Sequence, residues 1–321
     1  MFERILVPLD GSPRAEQALP VAARIARASG GSVILLQVVS PPIDYGGGLT
    51  QTPLMTEEVI ETELAISSSY LDRVAKAREL AEIETTTEVM FGLPAQDILA
   101  IAESRSVDLI VMCSHGRTGF TRWVLGSVAQ KIAHHCPVPL LVLREGKLLP
   151  LESPPDAARH LTALVPLDGS PLAEAALFPA ANLVAALVAP AAGALHLMQV
   201  VKQLSTTADE GFITQLNEET VERAKTYLMS VKERLQAGLK DRKLTIIWSV
   251  ALDADAADAI IGTAEQREQQ EGAEGLGGCD LIAMSTHGRS GLERWVMGSV
   301  MERVLGATKL PMLIVRPQQN G

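Results

Sequence analysis

The chain has 321 residues, 47% hydrophobic, 21% charged and only 3% aromatic, which is the composition of a globular protein long enough for about two domains. Each half is large enough to bury a core without disulfide or metal staples. Acidic residues outnumber basic ones 38 to 28, and the net charge of −10 argues against a nucleic-acid partner held by phosphate neutralisation.

Three cysteines, Cys113, Cys136 and Cys279, are odd in number and far apart. They fit a reducing, cytoplasmic compartment and not a secreted disulfide scaffold. The start, MFER, runs directly into a strand-like segment, without the basic and apolar regions of a signal peptide.

In chain order, residues 4–9 (RILVPL) are predicted as a strand and 13–29 as a helix, with Ser12 as N-cap and Pro13 in the first turn. Residues 32–39 (SVILLQVV) form the continuous apolar run of a strand buried on both faces. A long amphipathic helix is predicted over 54–81. Strand 83–91, helix 95–104, strand 107–113, helix 127–135 and strand 138–144 follow. The order βαβαβαβαβ requires parallel strands and an open, doubly wound α/β sheet. Residues 145–160, rich in Pro, Glu and Ser, read as a linker. Five further strands are predicted near 161–167, 193–201, 243–252, 279–285 and 310–316.

The second set of elements is a repeat of the first. Residues 5–12 read ILVPLDGS and residues 163–170 read ALVPLDGS. VDLIVMCSHGRTGFTRWVLGS at 107–127 returns as CDLIAMSTHGRSGLERWVMGS at 279–299. The period is too long for a solenoid, so two domains are expected, at 1–145 and 160–318. The second copy carries extra residues within 263–278, including Glu265, Glu268, Glu271 and Glu274. Like charges at that spacing disfavour a long helix and predict an acidic loop.

From Ala175 to Met198 there is no charged residue, a length able to span a bilayer. Its alanine-rich composition, Asn182, Pro179, Pro190 and Gly193, and its match to a charged segment in the first copy favour a non-membrane reading. Helix 173–189 is apolar nearly all round and is expected to pack against another domain or chain.

In an open parallel sheet, ligands bind beyond the carboxyl ends of the strands. The stretches best preserved between the copies lie there, and loops that drift less than the core usually carry more than packing. One is Pro8 to Ser12, matched by Pro166 to Ser170; Asp10 and Asp168 there serve either as turn residues or as acceptors for a ribose hydroxyl or base amine.

The other runs from His115-Gly116-Arg117 to Gly126-Ser127, matched by His287-Gly288-Arg289 to Gly298-Ser299. Gly116 and Gly126 let backbone amides approach an anion, and Gly126-Ser127 opens a helix whose N-terminus favours negative charge. Ser127 before Gln130, and Ser299 before Glu302, also have capping-box spacing, so each serine is a cap, a phosphate contact or both. Arg117 and Arg289 are either phosphate clamps or solvated loop residues. His134-His135-Cys136 is consecutive and replaced in the second copy by Ala307-Thr308-Lys309, so no metal site is expected. Cys113 becomes Ser285, so a thiolate nucleophile is not retained.

Both copies resemble the universal stress protein domain, and the chain is similar to tandem two-domain members of that family. The family's nucleotide-binding members carry Gly, two residues, Gly, nine residues, then Gly-Ser or Gly-Thr. Gly116 to Gly126-Ser127 fits, as does Gly288 to Gly298-Ser299, with the strand-one aspartate at Asp10 and Asp168. The resemblance implies two tandem five-stranded, Rossmann-like sheets of the adenine-nucleotide alpha-hydrolase type.

By that resemblance Asp10 and the backbone of Val38 would meet adenine and ribose. Gly116, Gly126 and Ser127 would hold ribose and phosphates, with Pro8 and Met112 lining the pocket. The second set would be Pro166, Asp168, Val200, Met284, Gly288, Gly298 and Ser299. Members of the family often bind ATP, sometimes with a divalent ion such as Mg2+. They commonly pair through their last strands, here 138–144 and 310–316 within one chain, or as a homodimer. Cys113 and Ser285 depart from the motif at its first glycine and are expected to weaken binding. With the acidic insertion, this ranks the first site above the second.

The leading reading is thus an ATP-binding stress-response or regulatory protein with no enzymatic role beyond slow ATP hydrolysis. A nucleotide-free interaction or scaffold protein is the alternative. An adenylyl transferase or pyrophosphatase is the third reading. Its Ser-Gly-Gly-x-Asp-Ser and His-x-Gly-His signatures are absent from the sequence.

Overall fold

The structure is a computed structural model, and it describes residues 2–41, 56–115, 125–146, 149–150, 160–203, 210–239, 242–265, 278–288 and 297–317. The chain divides into two compact units, Met1–Glu145 and Gly146–Gly321.

In the first unit β1 (Arg4–Leu9) leads through α1 (Pro13–Glu16) and α2 (Ala18–Ser29) to β2 (Ser32–Val39). Then come α3 (Glu57–Ala75), a 3-10 turn at Arg78–Leu80, β3 (Thr85–Phe91), α4 (Pro94–Ser104), β4 (Leu109–Cys113), α5 (Ser127–His135) and β5 (Leu140–Leu143). The strands lie in the order β3-β2-β1-β4-β5, and every pair is parallel.

Strand order reverses between β1 and β4, so a crevice opens beyond Leu9 and Cys113. Ile5, Leu6 and Val7 of β1, Leu35 of β2 and Leu109 to Val111 of β4 are wholly buried, because helices cover both faces of a parallel sheet.

The second unit repeats this plan. It contains β6 (Thr162–Leu167), α6 (Pro171–Glu174), α7 (Leu177–Val188), β7 (Gly193–Lys202), α8 (Glu210–Gly238) and β8 (Leu244–Asp253). It ends with α9 (Ala256–Glu265), β9 (Leu281–Ser285), α10 (Ser299–Ala307) and β10 (Met312–Val315). The order is β8-β7-β6-β9-β10, again all parallel. Each unit is therefore a doubly wound, five-stranded α/β sheet.

The predicted helix 13–29 is two helices, because Gln17 closes α1 by donating to Arg14 O before α2 begins. Helix 54–81 is shorter than expected, ending at Ala75 before the 3-10 turn. The charge-free stretch 175–198 is a helix followed by a strand. Pro171–Val188 is long and apolar enough to cross a membrane by length and composition, but half of it is buried inside the fold.

Leu177, Ala180, Ala181, Leu183, Val184, Ala186 and Leu187 of α7 are buried, and the helix lies on β6 and β7 of its own unit. Phe178 on its outer side is half exposed, its ring against Gly238 of α8. The cover observed on this apolar helix thus comes from its own half. Residues 266–277, most of the acidic insertion expected within 263–278, and most of the linker lie outside the described residues. Glu265, at the edge of the insertion, accepts from the Thr308 hydroxyl at 3.0 Å and the Lys309 amide at 2.7 Å.

Candidate functional site

Where β1 ends, Asp10-Gly11-Ser12 turns the chain into α1. Gly11 sits at φ 81°, a left-handed conformation that favours glycine. Asp10 Oδ1 accepts from the Ser12 amide at 3.0 Å and the Ser12 hydroxyl at 2.6 Å. Ser12 Oγ in turn accepts from the Ala15 amide at 3.2 Å, the N-cap expected from sequence. Asp168, Ser170 and Ala173 repeat the arrangement at 2.9, 2.6 and 3.2 Å. The aspartates are therefore turn residues through one carboxylate oxygen, and both line cavities.

The second loop delivers the helix N-terminus, with one correction to the sequence reading. Gly126 itself is the N-cap of α5, and Ser127 is the first helical residue. The Gln130 amide donates to Gly126 O at 2.9 Å and no side chain caps the helix, so the Ser127–Gln130 box does not form. Gly298, Ser299 and Glu302 repeat this, with Glu302 N donating to Gly298 O at 2.9 Å. Both caps are anchored backward: Gly126 N donates to Ser114 O at 2.8 Å and Gly298 N to Thr286 O at 2.9 Å. The first-turn amides of Ser127, Val128 and Ala129 have no carbonyl partner within the helix, and all three residues line the first cavity.

That cavity, of about 530 Å³, gathers Pro8, Asp10, Val38, Met112, Cys113, Gly126 and Ser127. Gly116, Arg117 and Arg289 lie outside the described residues. The second cavity, of about 210 Å³, gathers Pro166, Asp168, Val200, Met284, Ser285, Gly288, Gly298 and Ser299. Residues over 100 apart in sequence thus meet at one sheet end in each half.

Sequence reasoning missed one wall of the first cavity. Glu63, Ile66, Ser67 and Tyr70 of α3 line it, as do Gln37 and His115. Comparing the copies could have found Tyr70, because Tyr227 of α8 binds Glu174 at 3.0 Å, and Tyr70 faces Glu16 in the matching place. Burial, then the neighbouring Glu16 carboxylate, raises the Tyr70 phenol above its ordinary range; in Tyr227 burial and Glu174 do the same. Both phenols are neutral, and Tyr227 donates to Glu174.

Burial, with Asp10 nearby, pushes the Cys113 thiol up to about 12, so it is a thiol and no nucleophile at neutral pH. His115 is 93% buried in terms of accessible surface, and its Nδ1 pairs with Ser114 Oγ at 3.1 Å. Burial and then the charge of Arg144 hold it below its ordinary value, so it is the neutral imidazole. Among the described residues lining the first cavity there is no lysine or arginine, while Asp10 and Glu63 are acidic. Among the described residues, the groups there suited to an anion are the first-turn amides of α5.

The second cavity differs in detail. The His287 amide donates to Ser285 Oγ at 3.3 Å. Gly288 is pressed so closely on the Asp168 carboxylate that any Cβ would collide with it. Asp255 caps α9 by accepting from Ala257 N at 2.9 Å, and it also receives Arg303 of α10. Arg303 reaches Asp258 as well, at 3.2 Å, and so ties together the two helices that flank this cavity.

The sequence signature described as the Universal stress protein family matches residues 1–144 and again 161–316. A universal stress protein of Mycolicibacterium smegmatis is 24% identical over 318 residues, covering 98% of this chain and 97% of its own. One from Methanocaldococcus jannaschii is 31% identical over 147 residues, 46% of this chain and 85% of its own. The crystal structure of a universal stress protein from Archaeoglobus fulgidus aligns with 99% of this chain and 97% of its own, with a TM-score of 0.61 and 19% identity, a likeness of fold. Two matches in tandem, a full-length relative and a doubly wound sheet in each half together place the chain in the universal stress protein family.

Proposed function

We propose that the first half binds an adenine nucleotide, ATP carried with Mg2+, and that the chain acts as a non-enzymatic stress-response or regulatory protein. The observation that carries this is the first cavity. It joins Asp10, the β2 edge at Val38 and the open first turn of α5 in one space of about 530 Å³, within the range of small-molecule sites. The base and ribose belong at the Asp10–Val38 end, where Ile66, Tyr70 and Ile98 supply apolar surface. The phosphates belong at Ser127, Val128 and Ala129, whose amides and helix dipole favour negative charge.

A polyphosphate in a cavity holding Asp10 and Glu63 needs a counter-charge. A divalent ion travelling with the nucleotide supplies it. A bound nucleotide regulates only by favouring one conformation or assembly over another.

A nucleotide-free interaction protein is the second reading, and Ser285 favours it for the second half, because its hydroxyl already occupies a loop amide. The test is nucleotide released on denaturing freshly purified protein, with a thermal shift on adding Mg-ATP. A shift that Gly126→Glu abolishes with the fold intact supports binding. No shift at millimolar ATP refutes it.

A further inference from the structure

The two halves share a plan, but their cavities differ more than twofold in volume, about 530 against 210 Å³. Small-molecule sites run from roughly 300 to 1,000 Å³, so the second falls below that range. One difference stands at the helix that opens each site. Ser127-Val128-Ala129 begins α5 and Ser299-Val300-Met301 begins α10. The third residue of each lines its cavity, so a methionine stands where the first half has an alanine. Met301 is 98% buried, and its thioether chain fills space beside the very amides that a phosphate needs.

Two further contacts act in the same direction. Ser285 Oγ takes the His287 amide, and Gly288 closes onto the Asp168 carboxylate. The wall that α3 gives the first cavity through Glu63, Ile66 and Tyr70 has no counterpart from α8 among the described residues lining the second.

We infer that the chain holds one nucleoside triphosphate, in its first half, and that Met301 and Ser285 exclude a triphosphate from the second. This rests on the nucleotide reading of the first site. The duplicated fold therefore carries one nucleotide position and one narrowed copy of it.

The test is isothermal titration of the full chain with Mg-ATP, read as equivalents bound. The wild type binds one equivalent, Gly126→Glu binds none, and Gly298→Glu still binds one. The Met301→Ala, Ser285→Gly double variant gains a second equivalent. Because that variant could lose its fold, Ala129→Met is the reciprocal check: it transplants the methionine and removes the single equivalent, with circular dichroism unchanged. Two equivalents on the wild type would overturn the inference while leaving the nucleotide reading intact. So would a single equivalent lost through Gly298→Glu, or a folded double variant still binding one. Zero equivalents on the wild type would overturn the nucleotide reading itself, and the inference with it.

Discussion

Gly126 and Gly298 hold the same place in the two halves, yet their surroundings differ by a measurable margin. A Cβ built on Gly126 would stand 2.9 Å from the carbonyl oxygen of Ser114, a backbone atom that cannot swing aside. On Gly298 the matching distance, to Thr286 O, is 3.4 Å, an ordinary contact. Both are N-caps, so the loss of a glycine cap is common to the two and cancels in comparison. Gly126→Ala should therefore cost about 1–2 kcal/mol through overpacking, and Gly298→Ala about 1 kcal/mol less. Urea unfolding of the two variants measures this, and equal midpoints would contradict it.

At this scale most of the residues singled out in the sequence line the two cavities, but their backbone roles were not always legible. Gly126-Ser127 was legible as a helix start, whereas the choice between glycine and serine as cap depends on φ and ψ, and no spacing rule encodes those. Asp10 was legible as a turn residue because Asp-Gly-Ser carries local chemistry. Tyr70 was not, because it meets Glu16, far from it in sequence, only in the folded chain.

Among elements, β7 departs from its partner copy β2 in a way that titrates. With Gln199 matched to Gln37, His196 stands where β2 has Ile34, and it is 97% buried. Its Nε2 shares a hydrogen bond of 2.7 Å with Ser249 Oγ on the neighbouring strand β8. Burial lowers its pKa to about 4. An unfolded histidine titrates near 6.5. As pH falls the unfolded chain therefore takes up the proton first. Stability from this residue is complete above about pH 6.5 and is lost progressively down to about pH 4, by about 3 kcal/mol in all.

His196→Ile, the residue of the first copy, should flatten the stability of the second unit over that window. Chemical unfolding at pH 7 and pH 4.5 reads the difference, and an unchanged pH dependence in the variant would count against it. The strand itself was legible from its apolar run. The His196–Ser249 pair was not, since it joins residues 53 apart through strand register. The break at Gln17 was equally hidden, because the apolar periodicity of 13–29 continues across a turn that only the backbone reveals.

For the whole molecule, duplication made the fold readable: the alternation of strands and helices in each copy, and a cavity beyond the strand ends of each, follow one pattern seen twice. What duplication hid was the divergence of the copies. Ala129 and Met301 are both unremarkable core-type residues in sequence, and only their shared position at the mouth of a cavity gives the difference meaning. The proposed nucleotide site stands on one contact: phosphates received by backbone amides at the start of α5.

Amide hydrogen exchange, residue by residue, with and without Mg-ATP, tests that claim at the atoms involved. Slower exchange is expected at Ser127, Val128 and Ala129 on adding nucleotide, with Ser299, Val300 and Met301 unchanged. Exchange at the first turn of α5 that is indifferent to saturating Mg-ATP would contradict it.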